Sequence, residues 1–384
     1  MSRVKTGIEV LKCTDAYDEI FKNKRLALIT NPTGVDHNFV STIDILNEKY
    51  DLRILLSPEH GVRGDAAAGA SIDNYIDEKT NLPVYSLYGE SRHLSSKLLE
   101  QFDVLVYDIQ DVGCRYYTYI YTLLNAMEDC HKADKTVVVL DRPNPLGGID
   151  VEGNILEDEY LSFVGGFQMP VKYALTVGEF ALMLKDKLNL ASLDLEIVKM
   201  ENWKRHMLYE DTGLYWVSPS PNIPNLETAY IYPGNCLFEG TNMSEGRGTA
   251  LPFKQVGAPY IDAAELSQAL NDLEMPGVKF RPAHFTPSTS KHKGELCAGV
   301  ELYIDDLEVY KPLRVAVVMI YTIRDLYPEF KFRSVLPPST NRFINLLSGS
   351  NMIFEAVEIE KLFSQYCQDE DKFRAEKRKY HLYR

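Results

Sequence analysis

Val104–Asp111 reads VLVYDIQD, an almost continuous apolar run that carries two carboxylates at its end. Three similar runs lie nearby, at Arg25–Thr30 (RLALIT), Leu52–Glu59 (LRILLSPE) and Thr136–Arg142 (TVVVLDR). Short continuous apolar runs are typical of strands that are buried on both faces. Segments of helical character separate them, at Val40–Tyr50, Ser91–Phe102 and Tyr117–His131. This alternation predicts βαβ units, and therefore an α/β fold with a parallel sheet.

The length of 384 residues predicts more than one hydrophobic core. The pattern changes from about Glu152 onward, where the capping box Thr176-x-x-Glu179 predicts a helix at Val177–Leu188. We expect further strands at Leu82–Tyr88, Leu195–Met200 and Ala298–Ile304, and further helices at Asp262–Leu273, Leu313–Tyr327, Asn341–Leu347 and Ile353–Gln365. The predicted domains are an α/β domain over residues 1–160 and an α+β domain over residues 161–384.

The segment Tyr215–Tyr260 is rich in Pro, Gly, Asn and Ser and shows few periodic signals. A loop of that length in a compact protein is usually functional or disordered. Its aromatic residues argue against disorder; they are Trp216, Tyr230, Tyr232, Phe238 and Phe253. We therefore predict an ordered loop that helps to build a binding site.

Composition excludes several classes of function. A formal net charge of -14 disfavours nucleic acid as a partner. The basic residues between Lys372 and Arg384 are interpreted as a solvated helix end. No apolar run is long enough to span a membrane. The six cysteines show no metal-ligand spacing. Neither GxxxxGK[ST] nor GxGxxG occurs, so we expect no nucleotide, no other cofactor and no metal.

Polar residues cluster where the predicted strands of the first half end. In open α/β sheets, ligands bind outside the carboxyl ends of the strands, so these residues are candidates for a site. A partly buried glutamate such as Glu59 suits general acid catalysis, and His60 suits a base or a hydrogen-bond donor. The remaining candidates of this half are Asp108, Asp111, Arg115, Tyr116, Arg142 and Asn144. For the Asp–Arg pairs and the Pro-rich loop around Asn144, a purely structural role is an open alternative.

The second half contributes a glycine-spaced cluster of polar residues between Phe238 and Thr249, and a proline-locked segment around Asn222. Carboxylates and arginines together suit the handling of a polar substrate, and glycine lets backbone approach a ligand closely. The candidate residues are Asn222, Glu239, Asn242, Glu245 and Arg247.

Five motifs in order resemble one bacterial family: SPEHGVRGD, YDIQDVGCRYYTY, LDRPNPLGG, SPSPNIP and YPGNCLFEGTNMSEGRGT. It is the family of exo-acting β-N-acetylmuramidases of peptidoglycan recycling, formerly a domain of unknown function. The resemblance implies a Rossmann-like N-terminal domain, a smaller C-terminal domain and an active-site cleft between them. It also implies release of N-acetylmuramic acid from non-reducing ends of glycan fragments, with Glu59 as the principal catalytic carboxylate.

Glycosidases normally use two carboxyl groups, and the sequence leaves open which acid accompanies Glu59. Asp111 is the candidate from the first half, and Glu239 and Glu245 are candidates from the second. Arg115 or Arg247 would neutralise the lactyl carboxylate of muramic acid.

Two other functions stay open from the residues alone. The first is a non-catalytic protein that binds sugars or peptidoglycan fragments. The second is a phosphosugar-processing or esterase-like enzyme, against which the missing phosphate loop and the missing GxSxG serine count. Members of the resembled family are usually exported, whereas residues Met1–Gly7 start no apolar signal segment. We expect a periplasmic or secreted protein if a signal was removed, and a cytoplasmic protein if the chain is complete.

Overall fold

The structure, a computed structural model, describes residues 2–58, 61–63, 74–87, 92–335 and 339–384. The strands are β1 Arg25–Thr30, β2 Asp51–Ser57, β3 Tyr75–Ile76, β4 Pro83–Ser86, β5 Val104–Asp108, β6 Thr136–Leu140, β7 Leu195–Val198, β8 Gln255–Ala258, β9 Val278–Phe285 and β10 Cys297–Ile304. The α-helices are α1 Gly7–Cys13, α2 Asp18–Phe21, α3 Thr42–Lys49, α4 Ser96–Leu99, α5 Tyr119–Lys132, α6 Val177–Lys187, α7 Leu226–Asn235, α8 Ala263–Asn271, α9 Pro312–Leu326, α10 Phe343–Ser348 and α11 Ile359–Lys377.

The larger sheet has seven strands in the order β3-β4-β2-β1-β5-β6-β7. All neighbouring pairs are parallel except β3 and β4, which are antiparallel. The order reverses direction between β1 and β5, as in doubly wound sheets. The predicted α/β fold with a Rossmann-like parallel sheet is confirmed.

Burial on both faces explains why the strands of this sheet read as continuous apolar runs. In β1, Leu26 and Leu28 pack with α1 and α3 on one face. Ala27 and Ile29 point to the opposite face, where α5 and α6 lie. Successive side chains of a strand alternate between faces, so a strand covered on both sides needs apolar residues at every position.

The second, smaller sheet is antiparallel, with the order β8-β10-β9. Helix α8 packs on this sheet, and α7 packs against α9. The close approach of α7 to α9 requires Gly234, because a Cβ there would lie 2.1 Å from the carbonyl oxygen of Pro312. The prediction of a second α+β unit is therefore confirmed in architecture.

The prediction of an ordered loop over Tyr215–Tyr260 is wrong in part. The segment contains the helix α7, a 3-10 helix at Cys236–Gly240 and the strand β8. Pro233 lies inside α7, and proline is normally a helix breaker. Tertiary packing overrides this local signal, since residues Thr228–Asn235 of the helix are all buried.

The prediction that the basic C-terminal tail is a solvated helix end is wrong in part: Lys372, Arg378, Lys379 and Arg384 are exposed, but Lys377 is not. Lys377 closes α11 and is buried, and its ammonium donates to the carbonyl oxygens of Gly148 (2.8 Å) and Ala174 (2.9 Å). The backbone N–H of Leu382 donates to Glu179 at 2.8 Å. The tail therefore ties α11 to the side of the larger sheet.

The domain boundary at residue 160 stays a prediction about folding units. Strand β7, at Leu195–Val198, is hydrogen-bonded to β6 of the larger sheet, so part of that sheet is contributed by residues beyond the boundary. Within the residues that the structure describes, no helix combines the length and the apolar character needed to cross a membrane.

Candidate active site

The carboxyl end of β2 leads directly to the first predicted catalytic residue. Glu59 and His60 lie outside the described residues, so the predictions for them rest on the sequence. The chain before them is described as far as Ser57 and Pro58. The carbonyl oxygen of Ser57 accepts the N–H of Leu87 at 2.8 Å, which fixes the end of β2 beside the end of β4.

A pocket of about 330 Å³, here called the central pocket, lies between the start of α5 and the second structural unit. Tyrosines from both parts of the chain form much of its wall. Its lining comprises Tyr116, Tyr117, Thr118, Tyr119, Phe163, Val164, Ser220, Asn222, Ile223, Tyr232, Cys236, Glu239, Arg247, Phe253, Phe343 and Leu347. Flat apolar rings beside a few polar groups are the usual lining of a site for a small ligand.

A smaller pocket of about 150 Å³ adjoins the central pocket and shares Thr118, Tyr119 and Phe163 with it. Leu87 also lines this smaller pocket. Because Leu87 is hydrogen-bonded to Ser57, the end of β2 borders the pocket region. The carboxyl ends of β2 and β5 therefore face the same crevice, as parallel strands require.

The central pocket contains one ion pair, between Glu239 and Arg247, within the described part of its wall. The Nη2 atom of Arg247 lies 2.7 Å from Oε1 of Glu239. The two side chains are 30% and 21% exposed, so both reach solvent through the pocket. The Arg247 guanidinium also lies over the ring of Phe253, at 5.0 Å from its centroid.

Charge pairing outweighs burial for this arginine. Burial acts to lower the pKa of Arg247, but the neighbouring charge and hydrogen bond of Glu239 raise it above its usual value. Arg247 therefore stays cationic, and it presents a fork of N–H donors that suits a carboxylate or a polar substrate group.

Glu245 stands behind this pair and not in the central pocket. It is buried, with one carboxylate oxygen 3.4 Å from Nε of Arg247 and the other 2.8 Å from Nζ of Lys291. Lys291 also donates to the carbonyl oxygens of Phe238 and Thr241. Glu245 thus orients two cations, and Arg247 links it to Glu239.

Asp111 is buried beneath the loop that follows β5. Its Oδ2 atom accepts the N–H of Gly113 at 2.6 Å and the hydroxyl of Tyr173. Oδ1 has no hydrogen-bond partner among the residues described. Burial raises the pKa of Asp111 from 3.8 to about 6, against the lowering effect of those donors. A raised pKa suits proton transfer, but Asp111 does not line the central pocket.

Asp108 and Arg142 form a buried pair at the carboxyl edge of the sheet. Nε and Nη2 of Arg142 lie 2.5 and 2.9 Å from the two carboxylate oxygens of Asp108. The hydroxyl of Thr42 donates to the same carboxylate, and Nη2 of Arg142 also donates to the carbonyl oxygen of Val35. These bonds tie the loops after β1, β5 and β6 together. Asp108 and Arg142 therefore have the structural role that the sequence left open as an alternative to substrate binding.

Arg115 is fully buried and does not line the central pocket. Its guanidinium donates to the carbonyl oxygens of Asn154, Met169 and Leu347 at 2.7–3.1 Å. Burial lowers the pKa of Arg115 from its usual value. The three carbonyl groups belong to three separate segments of the chain. Through them the side chain of Arg115 joins the larger sheet to the second structural unit.

Two predicted amides also serve the scaffold. Asn144 accepts the N–H of Leu146 and donates to the carbonyl oxygen of Leu175, both at 2.9 Å. Asn242 accepts the hydroxyl of Tyr260 at 2.9 Å and donates to the carbonyl oxygen of Glu329. Neither lines the central pocket.

Of the predicted residues that are described, the structure brings four together in the central pocket: Tyr116, Asn222, Glu239 and Arg247. The hydroxyl of Tyr116 donates to the carbonyl oxygen of Pro233, so its ring is fixed against α7. Tyr117, Tyr232 and Phe253 were not predicted as site residues, although they line the same pocket. Tyr232 and Phe253 had a signal in the sequence, since both are aromatic residues in the segment read as site-building.

The described residues contain no group of three or more His, Cys, Asp or Glu side chains arranged to hold a metal ion. The side chains that line the central pocket carry carboxylate, guanidinium, amide, hydroxyl, thiol and aromatic groups.

Comparison with known proteins places this geometry in a family. Residues 26–227 match the family model described as Exo-beta-N-acetylmuramidase NamZ, N-terminal, and residues 230–383 match its C-terminal counterpart. The peptidoglycan beta-N-acetylmuramidase NamZ of Bacillus subtilis (strain 168) is 46% identical, over 99% of this chain and 92% of that protein.

Two crystal structures of DUF1343 family proteins from Bacteroides fragilis NCTC 9343 are similar in fold. One has a TM-score of 0.89 and 43% identity, and the other has a TM-score of 0.79 and 33% identity. Each comparison covers 100% of this chain and 99% of the other. Both halves of the chain match models of the same family, and the whole chain matches a curated member of it. The protein therefore belongs to the exo-β-N-acetylmuramidase NamZ family, a family of glycosidases, as its motifs predicted.

Proposed function

We propose that the protein releases N-acetylmuramic acid from the non-reducing ends of peptidoglycan fragments, with Glu59 as the general acid/base. The observation that carries this proposal is the central pocket, in which Glu239 and Arg247 lie among tyrosine rings at the crevice bordered by the end of β2. Membership of a muramidase family supports the same substrate class.

The position of Glu59 in the sequence supports its role. It follows Ser57 and Pro58 at the carboxyl end of a buried strand, and proline restricts the backbone at that point. A carboxyl group that is shielded from bulk water has a raised pKa and is suited to protonate a glycosidic oxygen. Protonation of the leaving oxygen is the step that a glycosidase acid must perform.

Glu239 is the carboxylate that lines the central pocket among the described residues. We assign it the role of the second carboxyl group, beside Glu59. The carboxyl group of Glu239 is paired with Arg247, and a carboxylate in that position suits stabilisation of a positively charged transition state or activation of water. The N–H donors of Arg247 that do not bond Glu239 would bind the lactyl carboxylate of muramic acid. The pocket tyrosines would pack on the sugar ring.

Hydrolysis of two matched chromogenic substrates tests the proposal. A β-N-acetylmuramide should release the chromophore and the corresponding β-N-acetylglucosaminide should not. Glu59→Gln should lower kcat by about 10²–10⁴-fold at unchanged Tm, because the amide lacks the transferable proton. Glu48→Gln, at an exposed position on α3, is the control and should retain activity.

The contrary results are equally specific. A folded protein that releases chromophore from neither substrate contradicts the proposal. If that protein still binds peptidoglycan fragments tightly, the alternative of a non-catalytic binding protein replaces it. Full activity of Glu59→Gln would leave the hydrolytic function in place and remove Glu59 from the acid role.

A further inference from the structure

Three aromatic rings form a stack on the surface at the same edge of the sheet, outside the central pocket. The ring of Tyr215 stacks with His37 at a centroid distance of 5.0 Å and with Phe39 at 5.2 Å. Phe39 is 59% exposed and Tyr215 is 57% exposed. Large aromatic side chains normally bury most of their surface, so two exposed rings in contact call for a function. We call His37, Phe39 and Tyr215 the aromatic platform.

The turn that carries Phe39 is rigid. The carboxylate of Asp36 accepts the N–H groups of Asn38 and Val40, both at 2.9 Å, and pairs with Lys12 at 2.8 Å. Phe39 itself has a φ of 61°, in the left-handed region that a bulky side chain rarely adopts. Backbone held in such a conformation by its surroundings is a recurrent feature of ligand-binding sites. The exposed position of Phe39 is therefore imposed by the fold.

The platform borders a shallow depression that has unused hydrogen-bonding capacity. The depression is lined by His37, Phe39, Tyr215 and Gln110, among others. Gln110 is buried, and its amide nitrogen donates to the carbonyl oxygens of Asp111 and Pro143. Its amide oxygen has no partner within the described ranges, and the same holds for Nδ1 of His37. Buried polar atoms in native proteins are usually paired, so these two atoms leave hydrogen-bonding capacity unused beside the depression.

One short segment connects the platform to the central pocket. Tyr215 and Val217 lie at the depression, whereas Ser220 and Asn222 line the central pocket. Between them, the carbonyl oxygen of Pro219 accepts hydrogen bonds from Asn31 and Tyr119, which fixes the segment to the sheet edge. Five residues of extended chain span at most about 17 Å, so a short oligosaccharide can reach from one site to the other.

We propose that the aromatic platform binds sugar rings of the glycan strand beyond the residue held in the central pocket. This inference rests on the proposed function. Aromatic faces pack against the apolar faces of pyranose rings, and the amide oxygen of Gln110 and Nδ1 of His37, unpaired among the described residues, supply hydrogen-bonding capacity for sugar hydroxyls. The platform thereby favours long glycan fragments over short ones.

The size of the platform disfavours a protein partner. Its exposed apolar part consists of Phe39, Tyr215 and the adjacent Val40. A stable protein interface buries about 800 Å² on each partner, with roughly 20–30 residues a side. Three side chains suit one or two sugar rings much better.

Substrate length provides the test. We expect Phe39→Ala combined with Tyr215→Ala to lower kcat/KM about tenfold on fragments of several disaccharides, chiefly through KM. On the chromogenic monosaccharide the same double variant should stay within about twofold of the wild type, because that substrate cannot reach the platform. Tyr215→Phe should retain the wild-type preference for length. Leu296→Ala, at an apolar position that is 65% exposed and lines neither the depression nor the central pocket, is the control.

Several results would overturn the inference. An equal loss on both substrates would indicate damage to the central pocket, and an unchanged length preference would remove the platform from glycan binding. A wild-type dimer that the double variant converts to monomer in light scattering, without a change in kinetics, would assign the platform to self-association.

Failure of the proposed function is recognised separately, because wild-type protein would then hydrolyse neither substrate. In that case sedimentation with insoluble peptidoglycan decides the matter. Weaker binding by the double variant than by wild type supports the platform as a glycan site, and equal binding rejects it.

Discussion

Oε1 of Glu239 lies 2.7 Å from Nη2 of Arg247, and Nε of the same guanidinium lies 3.4 Å from the buried carboxylate of Glu245. One arginine thus neutralises two acids, of which only Glu239 lines the central pocket. Substrate in the pocket can therefore reach Glu239, whereas Glu245 positions the guanidinium of Arg247.

Arg247→Ala should therefore lower kcat/KM on a β-muramide by about 10²-fold, with a larger effect than Arg247→Lys. The alanine variant loses both the donor fork and the partner of Glu239, whereas lysine keeps the charge but not the fork. Steady-state kinetics and Tm measure the effect. Arg281→Ala, which removes an arginine paired with Glu301 on the smaller sheet, should leave the kinetics unchanged. Wild-type kinetics in Arg247→Ala would exclude Arg247 from substrate binding.

Asp111 should make the stability of the protein depend on pH. Burial raises its pKa from 3.8 to about 6, so the folded protein binds more protons than the unfolded chain between those values. Its contribution to the free energy of unfolding therefore falls as pH rises through that window, by about 3 kcal/mol in total. Asp111→Asn cannot ionise, and its stability relative to the wild type should rise from pH 4 to pH 7. Urea unfolding at several pH values measures this; parallel curves for both proteins would contradict it.

The buried pair of Asp108 and Arg142 should show strong coupling. Arg142→Met leaves the Asp108 carboxylate buried without its cation and should cost about 3–5 kcal/mol in the free energy of unfolding. Adding Asp108→Leu to that variant should recover part of the loss, because no buried charge then remains unpaired. Arg25→Met breaks a pair with Asp103 in which the arginine is 42% exposed, and should cost about 0–1 kcal/mol. Additive effects in the double variant would rule out the coupling.

Tyr383 should stabilise the fold more at neutral than at acidic pH. Its hydroxyl donates to Asp141 at 2.6 Å, and burial raises the pKa of Asp141 to about 6. Tyr383→Phe removes a donor to the ionised form, so the pKa should rise further and the loss should grow above pH 6. We expect a loss of about 1–3 kcal/mol at pH 7.5 and a smaller loss at pH 5, measured by chemical unfolding. Tyr303→Phe, at a 39% exposed position, is the control. An equal loss at both pH values would show that Asp141 is not the titrating partner.

Local sequence patterns predicted the strands well where apolar runs are continuous. Arg25–Thr30 was predicted with its observed bounds, and the runs at Leu52, Val104 and Thr136 extended past the observed ends of β2, β5 and β6. Residues after a strand, such as Ile109, continue the apolar run but belong to the loop. The end of a strand is set by where its hydrogen bonds to the neighbouring strand stop, and the local sequence does not show that position.

Patterns failed where distant packing outweighs them. Pro233 and Gly234 argued for a loop, yet they lie in α7 because α9 covers that helix. The basic tail resembled a solvated end, yet Lys377 is buried because backbone carbonyls of Gly148 and Ala174 receive its ammonium.

By itself, the sequence determined the α/β architecture, the family and the set of polar residues from which a site is built. Those depend on hydrophobic periodicity and on motifs that are local in the chain. Only the tertiary structure decided that Glu239 and Arg247 reach the central pocket, while Asp108, Arg115 and Glu245 have buried partners. Burial and pairing depend on contacts between residues far apart in sequence, such as Asp108 with Arg142 and Glu245 with Lys291. No local pattern distinguishes a carboxylate that meets substrate from one that meets a buried cation.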